Sequence, residues 1–203
     1  MLRKGKQGLK DIYVVGCGQS LKGFNWTLLT DKTTIAVNGS LSYVPNPDYF
    51  LTADSRYAII AAQKDFYNIP TYKMLVISPT HRCFKLVRPF ISKYDHLITP
   101  KYGNSTIGFN EDEFGTGQNS GFCGMQLAVI LGAETIHLLG MDFCGVGKGN
   151  FHNIYSSCPR KWDEFLSNFK VAVKVLKEHD IEVVSHSPIS KLNDTIEYKD
   201  LHG

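Results

Sequence analysis

Residues 115–143 read GTGQNSGFCGMQLAVILGAETIHLLGMDF, and their order decides the fold. A polar, glycine-rich turn runs straight into an apolar stretch from Ser120 to Leu131, which Gly132 closes. An apolar strand at 135–139 then delivers Gly140-Met141-Asp142. Turn, helix, strand and acid-bearing loop in about thirty residues make one αβ unit of a parallel sheet. The helix is apolar over most of its surface, so it must be buried. Asn119 and Ser120 can cap its first amides. Gly121 lets a ligand come close, and the helix start carries partial positive charge. Asn119, Ser120 and Gly121 are therefore a candidate anion cradle. Asp142 sits just past the carboxyl end of a strand, where open α/β sheets bind ligands.

Upstream, the same arrangement recurs. Residues 11–15 (DIYVV) read as a buried strand and run into Gly16-Cys17-Gly18-Gln19-Ser20-Leu21. That is a phosphate-loop pattern: the glycines permit close backbone approach and Ser20 can cap or touch phosphate. It is not the dinucleotide fingerprint, because Leu21 stands where the third glycine would be. A β-branched strand at 33–37 ends in Asn38-Gly39-Ser40, and a short strand at 49–51 ends in Thr52-Ala53-Asp54. Asn38 and Gly39 stand where a base or ribose could be read, or where a strand simply turns. Asp54 either caps a helix over 56–66 or joins the ligand edge. A fourth strand falls at 73–77. From Ser78 to Phe114 no clean period survives, and this stretch reads as an inserted lid over the ligand edge. Its basic residues, His81, Arg82, Arg88 and His96, could meet an anionic ligand, with solvated surface the default for each one singly.

Downstream of Asp142, a glycine-rich loop carries His152 and Tyr155 and suits a mobile flap. Residues 160–178 form an amphipathic helix whose stripe of Trp162, Phe165, Leu166, Phe169, Val173 and Leu176 is core. A last strand at 181–185 precedes His186, and the tail from 191 is polar surface. The whole reads as a single nucleotide-binding α/β domain over 1–203: a Rossmann-like, mostly parallel sheet with helices on both faces and an inserted lid at 78–114.

Composition narrows the class. With 203 residues one substantial core can be buried. A formal charge of +3 gives no reason to expect nucleic-acid binding. No stretch approaches a membrane span, and the N-terminus lacks a signal-peptide run. The five cysteines are odd in number and none form a CxxC, so they read as reduced thiols of a cytoplasmic protein. Scattered Cys and His, and the misplaced run Glu111-Asp112-Glu113, make a metal site an unfavoured reading.

Four segments together carry a resemblance: GCGQSL at 16–21, AVNGS at 36–40, the 119–143 unit, and SHSPISKL at 185–192. In that order they resemble a set of small proteins, many encoded by bacterial viruses, that are similar to single-domain, CMP-sialic-acid-using bacterial sialyltransferases. More distantly the chain is similar to 6-hydroxymethylpterin pyrophosphokinase-like proteins. The sialyltransferase resemblance implies a GT-A-type variant of the Rossmann-like sheet. It implies metal-independent transfer from a CMP-sugar donor to a hydroxyl acceptor, with no cofactor required. Under it, Gly16, Cys17, Gly18 and Ser20 lie by the donor phosphate and Asn38 meets ribose or phosphate. Ser120 and Gly121 contact the donor, and Asp142 and Phe143 border the cytidine. A histidine acts as general base and tyrosine hydroxyls stabilise the leaving phosphate, for which His152 and Tyr155 are the nearest matches. The chain departs from that pattern at Cys17, where those enzymes carry Asn, and at Gly117-Gln118, where they carry Arg shortly before the turn. For the pterin-kinase pattern, Asp54 is one part of an Mg²⁺-binding acidic cluster.

The chemistry is coherent: a histidine with a pKa near 6.5 can take a proton from a hydroxyl, and preplaced donors can stabilise phosphate charge. His186 competes with His152 as base, whereas His137, inside an apolar strand, reads as a satisfied core residue. The leading expectation is a nucleotide-sugar-dependent glycosyltransferase. Its alternatives are a Mg²⁺-dependent pyrophosphokinase or phosphoryl transferase, and a catalytically inactive nucleotide-binding module. A homo-oligomer is left open.

Overall fold

The computed structural model describes residues 11–64, 68–144, 150–151 and 161–201. Strands β1 (Asp11–Val15), β2 (Thr33–Val37), β3 (Tyr49–Thr52), β4 (Tyr72–Val76) and β5 (His96–Ile98) run outward in one direction from the centre. Strands β6 (Thr135–Leu139), β7 (Glu182–Ser185) and β8 (Glu197–Tyr198) then build the other half. The order is β5-β4-β3-β2-β1-β6-β7-β8, and every pairing is parallel. The sequence expectation of a mostly parallel α/β sheet is met, with two strands added at its edges. The 78–114 stretch supplies β5, and the polar tail supplies β8.

Helices cover both faces because the central strands are apolar on both. Ile12, Val14, Ile35, Val37 and Leu51 face α3 (Ser120–Ile130) and α4 (Trp162–Glu178). Tyr13, Val15, Ala36, Phe50 and Leu75 alternate to the other face, against α1 (Ser55–Gln63) and α2 (Phe84–Val87). That alternation is the period-2 geometry of a strand, and burial on both sides is what parallel sheets require.

Helix α3 is the central packing element. Every residue from Gly121 to Val129 is buried, Gln126 included. A buried amide needs partners. Gln126 finds them in the 78–114 stretch and just beyond: its Oε1 accepts from Gly108 N at 2.8 Å and Gly115 N at 3.2 Å, and its Nε2 donates to Gly108 O at 2.6 Å. One polar residue in an apolar helix thereby pins the chain that leads into α3. Among the described residues, no helix is long and apolar enough to cross a membrane.

Candidate functional site

Strand order reverses between β1 and β6, so the loops that follow these two strands diverge and leave a crevice at the carboxyl edge. A cleft of about 640 Å³ lies there. It is lined from the loops after β6, β1, β2, β3 and β4 and from the start of α3. Of the residues expected from sequence, Gly16, Cys17, Gly18, Asn38, Asp54, Asn119, Ser120, Gly121, Asp142 and Phe143 all line it. Ser20 and Gly39 stand outside the lining: Ser20 holds Asp142 in place, and Gly39 is buried in the 3-10 turn Asn38–Ser42. His152 and Tyr155 lie outside the described residues.

The glycine turn after β1 is braced against the end of β6. Gly16 N donates to Leu139 O at 2.8 Å and Gly18 N to Gly140 O at 2.9 Å. Ser20 N donates to Asp142 Oδ2 at 2.9 Å and its hydroxyl to Oδ1 at 2.5 Å. A Cβ on Gly18 would meet that carboxylate at 2.4 Å. The glycine is thus required by intramolecular packing, and three amides expected to cradle an anion are used inside the protein. The start of α3 shows the same economy. Asn119 Oδ1 caps it, accepting from Gly121 N at 2.7 Å and Phe122 N at 3.3 Å, so those two donors are also taken.

Side chains add further donors to the cleft lining. Asn38 accepts at Oδ1 from the Thr52 hydroxyl at 2.7 Å, which leaves its NH₂ to donate. Ser120 Oγ accepts from Ala53 N at 3.2 Å and keeps its hydroxyl proton for another partner. Asp54 caps α1 by accepting from Arg56 N at 2.9 Å, as its position predicted, and also lines the cleft. Asn38, Gln118 and Phe143 hold positive φ (53°, 57° and 50°), and all three border the cleft. Backbone in this region costs energy for non-glycine residues and collects at functional sites. The Cys17 thiol donates to Val37 O at 3.4 Å, and burial pushes its pKa up to about 12, which disfavours the thiolate.

Sequence reasoning missed Gln19, Arg56, Ser78, His81, Gln118 and Trp162 in the lining. Arg56 and His81 follow strand ends, and that position was the available signal. Arg56 was read as a helix residue, and His81 as one of the basic residues that could meet an anionic ligand but default to solvated surface.

The two other histidines considered for chemistry form a relay beside β1, β6 and β7. His137 Nε2 lies 3.2 Å from Asp11 Oδ1 and its Nδ1 2.8 Å from His186 Nε2, while His186 Nδ1 lies 2.7 Å from Lys199 O. Tyr13 stacks on His137 at 4.2 Å between ring centroids. A carbonyl only accepts, so His186 Nδ1 carries the proton and its Nε2 accepts from His137 Nδ1–H, and His137 Nε2 then donates to Asp11 only when His137 is protonated on both nitrogens. His137 is thus engaged within the fold, as expected of a histidine in an apolar strand, and His186 is engaged there too rather than in the cleft lining. Burial lowers the pKa of both imidazoles, with Asp11 opposing at His137 and the Lys199 carbonyl opposing at His186. A depressed folded pKa means the unfolded chain binds more protons once pH falls below about 6.5. Stability contributed by the neutral pair is full above that pH and is lost as pH drops below it. The melting temperature is expected to fall between pH 7.5 and 5.5, with a shallower slope in a His137→Gln/His186→Gln protein. Equal slopes would remove this pair as the cause.

No protein-family model and no curated protein matches the chain. Solved structures do match in fold. The sialyltransferase CST-II in complex with trisaccharide acceptor and CMP superposes with a TM-score of 0.61 at 16% identity, over 96% of this chain and 88% of that one. CstII from Campylobacter jejuni with the substrate analogue CMP-3FNeuAc gives 0.59 at 15% identity, over 95% and 87%. The monofunctional α-2,3-sialyltransferase Cst-I from Campylobacter jejuni gives 0.60 at 14% identity, over 97% and 82%. The chain has a sialyltransferase-like fold.

Proposed function

We propose that this protein is a glycosyltransferase-like enzyme that uses a nucleotide-activated sugar, with a CMP-sugar as donor, a hydroxyl acceptor and no metal. One observation carries the reading. The four sequence segments that resemble sialyltransferases converge on the carboxyl edge at the reversal of strand order, and three of them line one cleft there. Structures of similar fold hold CMP, a CMP-sugar analogue and an acceptor trisaccharide.

In this reading Asn38 and Ser120 donate to the nucleotide, and the Asp142–Ser20 brace keeps the β1 and β6 loops at the spacing it needs. The acceptor oxygen attacks the anomeric carbon and a base takes its proton, while the sugar–phosphate bond breaks and CMP leaves with its electron pair. His152 is the proposed base, and Tyr155 the proposed donor to the leaving phosphate.

Thermal denaturation with CMP, AMP and ATP, each in EDTA and in Mg²⁺, tests it. At a hundredfold excess over Kd, a ligand adds about 2.7 kcal/mol, or roughly 5–10 °C for a chain of this size. CMP is expected to stabilise in EDTA, and more strongly than AMP. Stabilisation by ATP only with Mg²⁺ would favour the pyrophosphokinase reading, and silence from all three would remove the nucleotide reading.

A further inference from the structure

One of the four sequence segments stands apart from the cleft. In SHSPISKL at 185–192, no residue lines it. Ser185, Ser187, Ser190 and Leu192 are buried instead, Ser187 completely. A buried hydroxyl needs partners, and those of Ser187 and Ser190 find theirs on the loop that follows β6.

Gly140, Met141 and Asp142 are consecutive, all line the cleft, and each is bonded to this segment. Gly140 N donates to Ser187 Oγ at 2.9 Å. Ser190 Oγ donates to Met141 O at 2.6 Å, and Lys191 N donates to Asp142 O at 3.0 Å. The loop needs such support. Gly140 and Phe143 hold φ of 65° and 50°, and for Phe143 that conformation is costly. The segment is itself fixed, because Ser187 O accepts from Asn193 Nδ2 at 3.0 Å and from Ser190 N at 3.0 Å.

Ser187 also reaches the glycine turn after β1. Its Oγ lies 3.1 Å from Ser20 Oγ. A hydroxyl has one proton, and Ser20 gives its own to the Asp142 carboxylate. Ser187 is therefore the donor in this pair. The protons point one way: Gly140 N–H to Ser187, Ser187 to Ser20, Ser20 to Asp142. Each link polarises the next, and the chain ends on a charge. It ties together the loops after β1, β6 and β7.

Resting on the nucleotide-sugar reading above, we propose that Ser187 and Ser190 are positioning residues: without touching the ligand, they hold the 140–143 loop in the shape that binds the nucleotide. Their hold on the loop is a property of the free protein and does not depend on the ligand.

Ser187→Ala and Ser190→Ala are compared with Val173→Ala, a buried truncation on α4 well past its cleft-lining Trp162 and Phe165. CMP affinity is measured by calorimetry, and amide exchange of residues 139–143 by mass spectrometry on the ligand-free protein. All three variants should melt lower than wild type. Ser187→Ala is expected to weaken CMP about tenfold and to speed exchange of the loop about tenfold, while Val173→Ala leaves both within about twofold. Ser190→Ala is expected to act in the same direction to a smaller extent, and it carries the test if Ser187→Ala does not fold. Serine variants that melt lower yet keep wild-type CMP affinity and loop exchange would overturn the proposal. Faster exchange with unchanged CMP affinity would overturn it too, since the shape of the loop would not matter to the ligand. If wild type binds no CMP, the nucleotide reading fails, and exchange alone decides whether the serines hold the loop.

Discussion

Replacing Gly124 by valine is expected to lower the unfolding free energy by about 3 kcal/mol and the melting temperature by roughly 6–12 °C. Gly124 is where α3 rests on the sheet. A Cβ there would lie 2.6 Å from Val14 Cγ1 and 2.9 Å from Val37 Cγ2. Both neighbours are β-branched residues on fully paired central strands, and neither can rotate away cheaply. The helix must lift instead. Because its first turn carries Asn119, Ser120 and Gly121, the lift also spoils the cleft, and CMP stabilisation should weaken in parallel. Urea unfolding provides the check: the midpoint should fall with the slope unchanged. An unaltered midpoint would mean that the helix does not press on β1 and β2 as described.

Asp142→Ala is expected to cost about 3 kcal/mol of stability and about tenfold or more in CMP affinity. The residue is 6% exposed, and its carboxylate accepts both the amide and the hydroxyl of Ser20. Truncation leaves a partly buried N–H and O–H without their acceptor and removes the tie between the loops after β1 and β6. Asp142→Asn should fall between the two, because one carboxamide oxygen can replace only one of the two acceptors. Calorimetry with CMP separates the two effects. Lost stability with unchanged CMP affinity would leave the brace standing and take the β1 turn out of ligand binding.

The strands that sequence patterning found are the central ones: 11–15, 33–37 and 135–139 match the structure residue for residue. They are buried on both faces and read as continuous apolar runs. The two that it missed are edge strands. β5 has three residues and β8 has two, each is paired on one side, and neither has to be strongly apolar. The glycines at 16 and 18 were visible, but their reason was not. The sequence reading put them against a phosphate, whereas the structure packs them against Gly140 O and the Asp142 carboxylate.

By itself, the chain's sequence determined the αβ alternation, the buried α3, its Asn119 cap and the run of polar groups at strand ends. These depend on neighbours within a few residues, where period and capping chemistry act. Only the tertiary structure decided which strand ends lie side by side. The β1–β6 pairing joins Ser20 to Asp142 across 122 positions, and the β6–β7 pairing joins His137 to His186 across 49. The same strand order places Arg56 and His81 on one edge with Asn38. Strand order follows from which apolar faces the helices can cover together, a property of the whole sheet that no local stretch encodes.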